Sequence, residues 1–577
     1  MTEVGVRHIW KVKPFDRDSV KQLAIATNLP PLLTHLMLQR GQDTPEKVNE
    51  FLHPTLAQLS DPFLLTDMEV AVERIHKARE QDESVLVFGD YDVDGISAAA
   101  ILTNGLRRFG INKVSCSMPQ RLLEGYGLNV ERVKMAKEEG ISLIITVDNG
   151  VSAHEAADCA SSLGIELIIT DHHAIDDKLG LPHALAVINP CREPENYSGH
   201  HLCGAGVAFK LSTALNGSPN DLDIAALGTV ADIVPLIGEN RVIVALGLKH
   251  MAKHQRVGLR QLARRVGLKI DQISSENIGF QLGPRINAAG RLDDGQLALN
   301  LLLSTCPQET FSMAEALNIA NDERREIESA IYTEAIEEIE ACLNQDDRSI
   351  VLARRGWHPG VIGIVASRLQ RRYHRPVVVI AVDDDGTGRG SGRSGTGFNL
   401  VEAFSSCSKH FVRFGGHTSA AGMTVLEHSI EAFRTDFEIV AREQLGMGEL
   451  IAEVTIDAVA AFSEMDTRLV TSMQMLEPLG HHNPSPVFGT FGITIVPESV
   501  RILKEQHLKL TLEHESTLLP AIGFNMAERF FTEELRGKVD VAYTPKFNTW
   551  RGETTIQLIL KDIRPSQEVQ DSFSLTA

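Results

Sequence analysis

Apolar residues follow different periods in successive parts of the chain. From about Glu83 to Leu236, short apolar runs alternate with stretches of helical period; VLVF, KVSCSM, LIITVD, ELIITD and LAVINP are the strand candidates. Short apolar runs bounded by turn residues read as buried strands. Their alternation with helices predicts a parallel, doubly wound α/β sheet. Upstream, to about Arg79, the period is helical, with turn signals at Pro30-Pro31 and His53-Pro54. LPPLLTHLMLQRG ends at Gly41, where a helix C-cap glycine belongs. This segment carries no evident chemistry and is expected to pack beside the sheet.

Downstream, one helix is predicted over about Pro307 to Leu343, with Thr305 as its cap and Gln308 closing a capping box. Leu317, Ala320, Ile327, Ile331, Ala335 and Cys342 share one face, and Glu323, Arg324, Glu328, Glu337 and Glu338 the outer one. The helix reads as a strut joining two lobes. SIVLAR, a helix through VIGIVASRLQRR and the run PVVVIAV predict a second α/β unit. In the last segment HLKLTLE, TTIQLILKDI, PVFGTFGITIV and KVDVAYTP alternate as short strands and predict a small barrel. The expected domains are 1–79 (helical), 80–240 (catalytic sheet), 241–345 (helical connector), 346–450 (second α/β) and 451–577 (barrel).

Three strand candidates end in chemistry. VLVF leads into GDYDVDG, with Asp90, Asp92 and Asp94 at alternate positions; LIITV ends in Asp148; ELIIT ends in Asp171, His172 and His173. An acidic turn taken alone is either a surface turn or a cation site, because clustered carboxylates need a positive partner. Three such ends line one crevice in an open parallel sheet, which favours the cation site. Carboxylates with imidazole suit Mn²⁺ or a similar ion better than carboxylates alone. Asp232, in the helical DIAALGTVADIV, reaches the site from the side.

Composition narrows the class. The chain has 577 residues, 43% apolar and 23% charged, as in ordinary multidomain globular proteins. No apolar run reaches membrane-spanning length and MTEVGVRHIWKVKPF lacks a signal-peptide core, so the expected location is cytoplasmic. Seven scattered cysteines without a CxxC pair read as reduced thiols. Cys191, His200, His201 and Cys203 lie close in sequence, but their spacing matches no standard zinc pair.

The net charge of −20 argues against nucleic acid, yet two stretches, Arg241 to Lys269 and Arg354 to Arg375, are basic with no acid between. They read either as phosphate-binding stripes or as solvated helix faces. Arg121 in PQRLLEGYG either holds a phosphate or caps its loop. Arg285, Asn287 and Arg291 in LGPRINAAGRL either face a ligand or mark a turn between helices. GTGRGSGRSGTG reads as an anion nest with Arg389, Ser391 and Arg393 as donors, or as a linker. His417 follows Gly415-Gly416 on a tight turn. Phe547 and Trp550, beside Lys546 and Arg551, either stack bases or pack at the barrel edge.

GDYDVDG, VDNG, TDHH and LGTVADIVPL, in this order, resemble the four motifs of the DHH phosphoesterase superfamily. WHPGVIGIVASR, GRGSGRS and FGGH resemble its accompanying C-terminal domain, and the whole set resembles the RecJ family within it. The resemblance implies an OB-fold barrel and a single-strand-specific 5′→3′ DNA exonuclease that releases mononucleotides in recombination and repair. It implies hydrolysis with two Mg²⁺ or Mn²⁺ ions about 3.5–4 Å apart. It makes Asp148 the bridging ligand, Asp90 and Asp92 ligands of one ion, and Asp94, His172 and Asp232 ligands of the other. Asp171 would orient an imidazole and His173 meet the phosphate. Relatives carry His at the Asp90 position, which leaves direct ligation by Asp90 open.

His358, Arg368, Arg389 and His417 are implied substrate contacts. Arg121, Arg285, Ser391 and Arg393 are expected to hold the terminal 5′ phosphate beside a channel too narrow for duplex. Implied partners are single-stranded DNA, a single-strand-binding protein and a RecQ-type helicase; the expected state is a monomer away from membranes. Two other readings stand: a phosphodiesterase for short RNA or cyclic dinucleotides, whose relatives lack a barrel, and a non-catalytic replication scaffold.

Overall fold

A computed structural model describes residues 6–119, 127–254, 256–292, 295–344, 346–446, 448, 450–532, 535, 537–550 and 552–566. The chain divides into two compact units: Asn49–Arg324 with Leu476–Pro484, and Met1–Val48, Arg325–Met475 and Ser485–Ala577.

In the first unit, β1 (Ser84–Phe88), β2 (Lys113–Ser117), β3 (Leu143–Val147), β4 (Glu166–Thr170) and β5 (Ala186–Ile188) form an all-parallel sheet in the order β2-β1-β3-β4-β5. The inner strands are buried on both faces, which is why they read as unbroken apolar runs. α1 (Val93–Phe109), α2 (Gly204–Asn216) and α3 (Leu222–Ala231) pack around it, and α4 (Gly283–Leu292) follows. Small residues let these helices approach: Ala98, Ala99, Ala100, Ala225 and Ala226 are all fully buried. Burying each Leu, Ile, Val or Phe of this core contributes about 1.5–3 kcal/mol.

The last part of this unit is an excursion of the chain at Leu476–Pro484. It is held by Arg241, 3% exposed, which donates to the carbonyls of Leu476 (3.0 Å), Glu477 (2.9 Å) and Pro478 (3.3 Å). Its Nε also donates to the carbonyl of Phe51 (3.0 Å), and its guanidinium lies 3.7 Å from the Phe51 ring centre.

The chain passes between the units within α5 (Pro307–Cys342). Leu317, Ile331, Ala335 and Ile339 are buried as their spacing demands. Arg324 and Glu328, expected on the outer face, are buried too. The hydroxyl at the start is that of Ser304, not Thr305: it accepts from the Cys306 N–H (3.1 Å) and donates to Glu309 (2.9 Å).

The second unit contains β6 (Ile350–Arg355), α6 (Ile362–Tyr373), β7 (Val377–Val382), β8 (Thr387–Arg393), β9 (Phe411–His417) and β10 (Ala420–Leu426). The sheet order is β9-β10-β8-β7-β6, and only β6 and β7 are parallel. The glycine-rich run is therefore neither an anion nest nor a linker. β8 lies between β7 and β10, so its backbone groups are committed to two ladders. Period two puts Gly388, Gly390 and Gly392 on the core face. A Cβ at Gly392 would lie 2.8 Å from Leu400 and 3.1 Å from Phe404. Arg389, Ser391 and Arg393 share the other face.

A five-stranded barrel completes this unit: β11 (Phe488–Ile495), β13 (His507–His514), β14 (Thr517–Gly523), β15 (Lys538–Trp550) and β16 (Glu553–Pro565), with β12 (Arg501–Leu503) on its edge. The order β11-β15-β16-β14-β13 closes because β13 pairs back onto β11. Only β14 and β16 are parallel within the ring, which is OB topology. The chain start departs from expectation. Val6–Val12 is a strand, not a helix, and pairs in parallel with Leu450–Ile456. Residues Met1–Val48 group with this unit.

Arg241→Met would remove four hydrogen bonds to carbonyls, of which those of Leu476 and Pro478 still accept from Asn483 Nδ2 (2.9 and 2.8 Å), at a cost of about 2–4 kcal/mol. Calorimetry of the variant should show a melting transition at lower temperature than in the wild type; an unchanged trace would contradict this role.

Candidate metal centre

The parallel register of β1, β3 and β4 decides where their ends go. Val85 stands opposite Leu143, and Leu143 opposite Glu166, so the chain leaves all three strands at one edge. Asp90, Asp92, Asp148, Asp171, His172 and His173 follow directly. Asp92 caps α1, its Oδ1 accepting from the N–H groups of Asp94 (2.9 Å) and Gly95 (3.1 Å). Asp94 lies in the first turn of α1 and accepts from the N–H groups of Gly204 (2.6 Å) and Ala205 (2.9 Å) at the start of α2. Helix N-termini favour negative charge, so the fold supplies two of these acids with partial positive ends. A Cβ at Gly204 would lie 2.4 Å from the Asp148 Cβ, so only glycine lets α2 come this close. Asp232 ends α3.

Three overlapping groups of ligating atoms lie within 4.8 Å: Asp90, Asp92 and Asp148; Asp94, His172 and Asp232; and Asp148, His172 and His173. His172 Nε2 is 3.1 Å from Asp148 Oδ1, 3.7 Å from Asp232 Oδ2 and 3.8 Å from Asp94 Oδ2. Asp171 stands behind the imidazoles. Its carboxylate accepts from His173 Nδ1 (2.7 Å) and from the backbone N–H groups of His172 (2.7 Å) and Val151 (2.9 Å). A cavity of about 440 Å³ opens onto Asp90, Asp92, Asp148, His173, Asp232 and Asn287. A larger hollow of about 840 Å³ in the second unit is lined by Ser394, Phe398, Asn399, Thr418 and Gln444, with Glu402 its one ionisable group. Chemistry, not volume, picks the site.

The electrostatics demand a cation. Burial and then the charges of Asp94, Asp92, Asp90 and Asp232 push the Asp148 carboxyl well above its ordinary range. Burial and then Asp94 raise Asp92. Burial, with Asp94 and Asp92, raises Asp232 to about 9. Burial alone would lower His173, but the hydrogen bond and charge of Asp171 hold it at about 9. Burial opposes ionisation of Asp171 too, and its His173 and backbone partners outweigh that and keep it low. Carboxylates crowded until they resist ionisation, with imidazole among them, are the donor set that hard or borderline divalent ions neutralise.

Sequence reasoning missed several supports. Asn149 donates to the carbonyls of Phe88 (3.2 Å) and Val147 (2.9 Å), tying β1 to β3 below the acids. Asn189 donates to the His173 carbonyl (2.9 Å). Asp148 and Ile233 both have φ of +61°, a costly conformation away from glycine, and sheet ends alone do not reveal it. The position of Asn149, directly after Asp148 in VDNG, was the one visible signal for the first of these.

Other expected residues scatter. Asn287 joins the centre and accepts from the Val93 N–H (3.0 Å). Arg285, also on α4, donates to Asn318 (2.9 Å) and the Gln281 carbonyl (2.8 Å). Arg121 and the side chains of Arg291 and Trp550 lie outside the described residues. In the second unit Arg393 donates to Ser391 Oγ (3.0 Å), and the start of α6 adjoins both: a Cβ on Gly363 would meet Ser391 Oγ at 2.9 Å. Arg389 is 3.7 Å from Asp383. His358 Nδ1 accepts from the Gly360 N–H (3.1 Å). Arg368 pairs with Glu328 (3.0 Å) over the Tyr332 ring. His417 is exposed at the β9 end, and Phe547 is half-buried in β15.

Each basic stretch is partly committed to other segments, while Lys249, Lys253, Arg264 and Lys269 stay exposed. Arg241 and Arg375 are buried. Arg256 pairs with Asp221 (2.7 Å) and Asp223 (2.8 Å), Arg354 with Glu334 (2.8 Å), and Arg355 with Glu427 (2.5 Å). The cysteine–histidine set does not assemble either: Cys203 Sγ lies against Thr229 (3.6 Å), and Cys191 Sγ against the His172 carbonyl (3.4 Å).

A parallel sheet whose ends gather five aspartates and two histidines around one cavity defines a DHH-type phosphoesterase. Family models agree: the DHH family N-terminal domain matches residues 84–231, the DHHA1 domain 346–443 and the RecJ OB domain 456–562. The chain is 37% identical over 563 residues to the single-stranded-DNA-specific exonuclease RecJ of Bacillus subtilis strain 168, covering 97% of this chain and 71% of that protein. It is 34% identical over 577 residues to the RecJ of Salmonella typhimurium strain LT2, covering 95% and 98%. The crystal structure of Thermus thermophilus RecJ with Mn²⁺ superposes with a TM-score of 0.83 at 30% identity, over 98% of this chain and 80% of that one. The same protein with Mg²⁺ gives 0.78 at 29%, over 98% and 79%. The chain belongs to the RecJ family.

Without metal, Asp232 and His173 keep their protons to about 9, against 3.8 and 6.5 unfolded. The folded protein then binds more protons than the unfolded one across that window, so its stability falls as pH rises. Metal-free protein should melt lower at about pH 8.5 than at about pH 6.5, and Mn²⁺ should raise Tm more at the higher pH. Asp232→Asn should reduce the metal-free dependence to the part that His173 contributes; the full wild-type slope persisting in this variant would contradict the assignment.

Proposed function

We propose that this chain is a metal-dependent exodeoxyribonuclease that degrades single-stranded DNA from its 5′ end and releases mononucleotides, in recombination and repair. The observation that carries this is the clustering of seven acidic and imidazole side chains, five of which line one cavity, in a chain that also holds an OB barrel. The cofactors are divalent cations, Mg²⁺ or Mn²⁺. Bound there, they supply water activated near neutral pH and neutralise charge on the phosphate.

The chain's own residues do the rest. Asp148, which belongs to two of the ligand groups, would hold ions on both sides; Asp90 and Asp92 would complete one side, and Asp94, His172 and Asp232 the other. Asp171 keeps His173 charged, so both ring nitrogens carry protons. Nδ1–H is committed to Asp171, and Nε2–H is the donor for a phosphate oxygen. Asn287 fixes the start of α1, on which Asp94 rides. Ser391 and Arg393, side by side at the start of α6, hold the terminal 5′ phosphate and so set direction. The barrel grips the strand, with Phe547 as a stacking platform. A barrel on the same chain disfavours dinucleotides as the substrate, and a complete ligand set disfavours a scaffold.

Among the described residues no helix is long and apolar enough to cross a membrane. We assign cytoplasmic residence, a monomeric state, and a single-strand-binding protein and a RecQ-type helicase as partners; co-purification and light scattering test these.

The reading is tested with a strand labelled at either end, beside its duplex, with Mg²⁺, Mn²⁺ or EDTA. Early mononucleotide release from the 5′ label of the single strand alone, abolished by EDTA, is the expected result; 3′ release or duplex degradation would refute it. Arg393→Ala removes a charged hydrogen bond worth about 1.5–3 kcal/mol, so 5′-phosphorylated ends should slow about 10- to 100-fold. Strands with a 5′ hydroxyl should be affected little; equal loss on both would contradict the assignment.

A further inference from the structure

Two histidine pairs far apart in the chain are anchored near one another in the first unit. His200 and His201 precede α2, their ring centres 5.2 Å apart. His481 and His482 lie in the Leu476–Pro484 excursion, 4.5 Å apart. Both segments are anchored on the same turn: Leu236 N–H donates to the His481 carbonyl (2.8 Å), and Asn240 Nδ2 to the His201 carbonyl (2.6 Å). We propose that His200, His201, His481 and His482 form a binding site for a borderline transition-metal ion such as Zn²⁺ or Ni²⁺, separate from the carboxylate-rich centre.

Three observations carry it. The donors are all imidazole nitrogens, a set that suits Zn²⁺ and Ni²⁺ and gives nothing to Mg²⁺. His200 Nδ1 is buried without a hydrogen-bond partner, and a buried polar atom in that state normally has one. Burial and then the charges of His200, His482 and His481 lower His201, so the other three rings lie within its electrostatic reach. The nitrogens stand wider than ligand distance, since the groups within 4.8 Å are those of the carboxylate-rich centre. His201, His481 and His482 are exposed, and exposed side chains change rotamer in picoseconds to nanoseconds, so closing on an ion needs no backbone movement. An ion there would clamp the excursion that Arg241 already holds.

The test is equilibrium dialysis of the full chain against Ni²⁺ with excess Mg²⁺ occupying the carboxylate centre. Wild type and Asp148→Asn should each retain one Ni²⁺ more than the same proteins carrying His201→Gln/His482→Gln, the difference corresponding to affinity down at least about tenfold at that site. Melting in EDTA checks the double variant's fold. Ni²⁺ should raise Tm in the wild type and not in the double variant. Equal Ni²⁺ uptake by wild type and double variant would overturn the proposal. So would uptake that disappears in Asp148→Asn and survives in the double variant.

Discussion

Mutual repulsion among buried carboxylates is the constraint on which the rest of this molecule depends. Asp92, Asp148 and Asp232 are brought together beside Asp94, where burial penalises their charge. Left alone, such a cluster takes up protons or pushes apart. The fold prevents separation by fixing each acid to a different rigid element: Asp92 and Asp94 to the start of α1, Asp148 to the end of β3, Asp232 to the end of α3. The strain also shows in the backbone, where Asp148 and Ile233 adopt positive φ. Divalent cations relieve the repulsion, and the same cations carry the hydrolysis.

Everything near the centre serves that placement. Parallel register brings three strand ends to one edge, as open α/β sheets do at their ligand crevice. Two helix N-termini face two of the acids. Asn149, Asn189 and Asn287 use their amides to fix the loops between. The second unit follows a different logic: a strand with glycine on its core face presents Arg389, Ser391 and Arg393 in a row, and a closed barrel offers a surface for the strand.

The catalytic sheet and its acids were legible because buried parallel strands are continuous apolar runs, and each ends where its acid begins. The barrel was legible from period-two alternation in HLKLTLE and TTIQLILKDI. Three features were not. Val6–Val12 lacks a local partner, and its pairing with Leu450–Ile456 lies almost the full chain away. Arg256, Arg354 and Arg355 looked free because their acids, Asp221, Glu334 and Glu427, come from other segments. GTGRGSGR looked like a loop because glycine is rare in strands, and only the side chains crowding its core face explain it. The ligand groups and the shared place of Asp148 were implied by the motif resemblance, but that His172 also belongs to two groups emerges only from the geometry.

The most direct test of the central claim is the number of Mn²⁺ ions the chain binds, read by calorimetry for the wild type and for Asp148→Ala. The account predicts two in the wild type. It predicts a large loss of affinity at both positions from the one substitution, because Asp148 is shared. Undiminished binding in Asp148→Ala would contradict it.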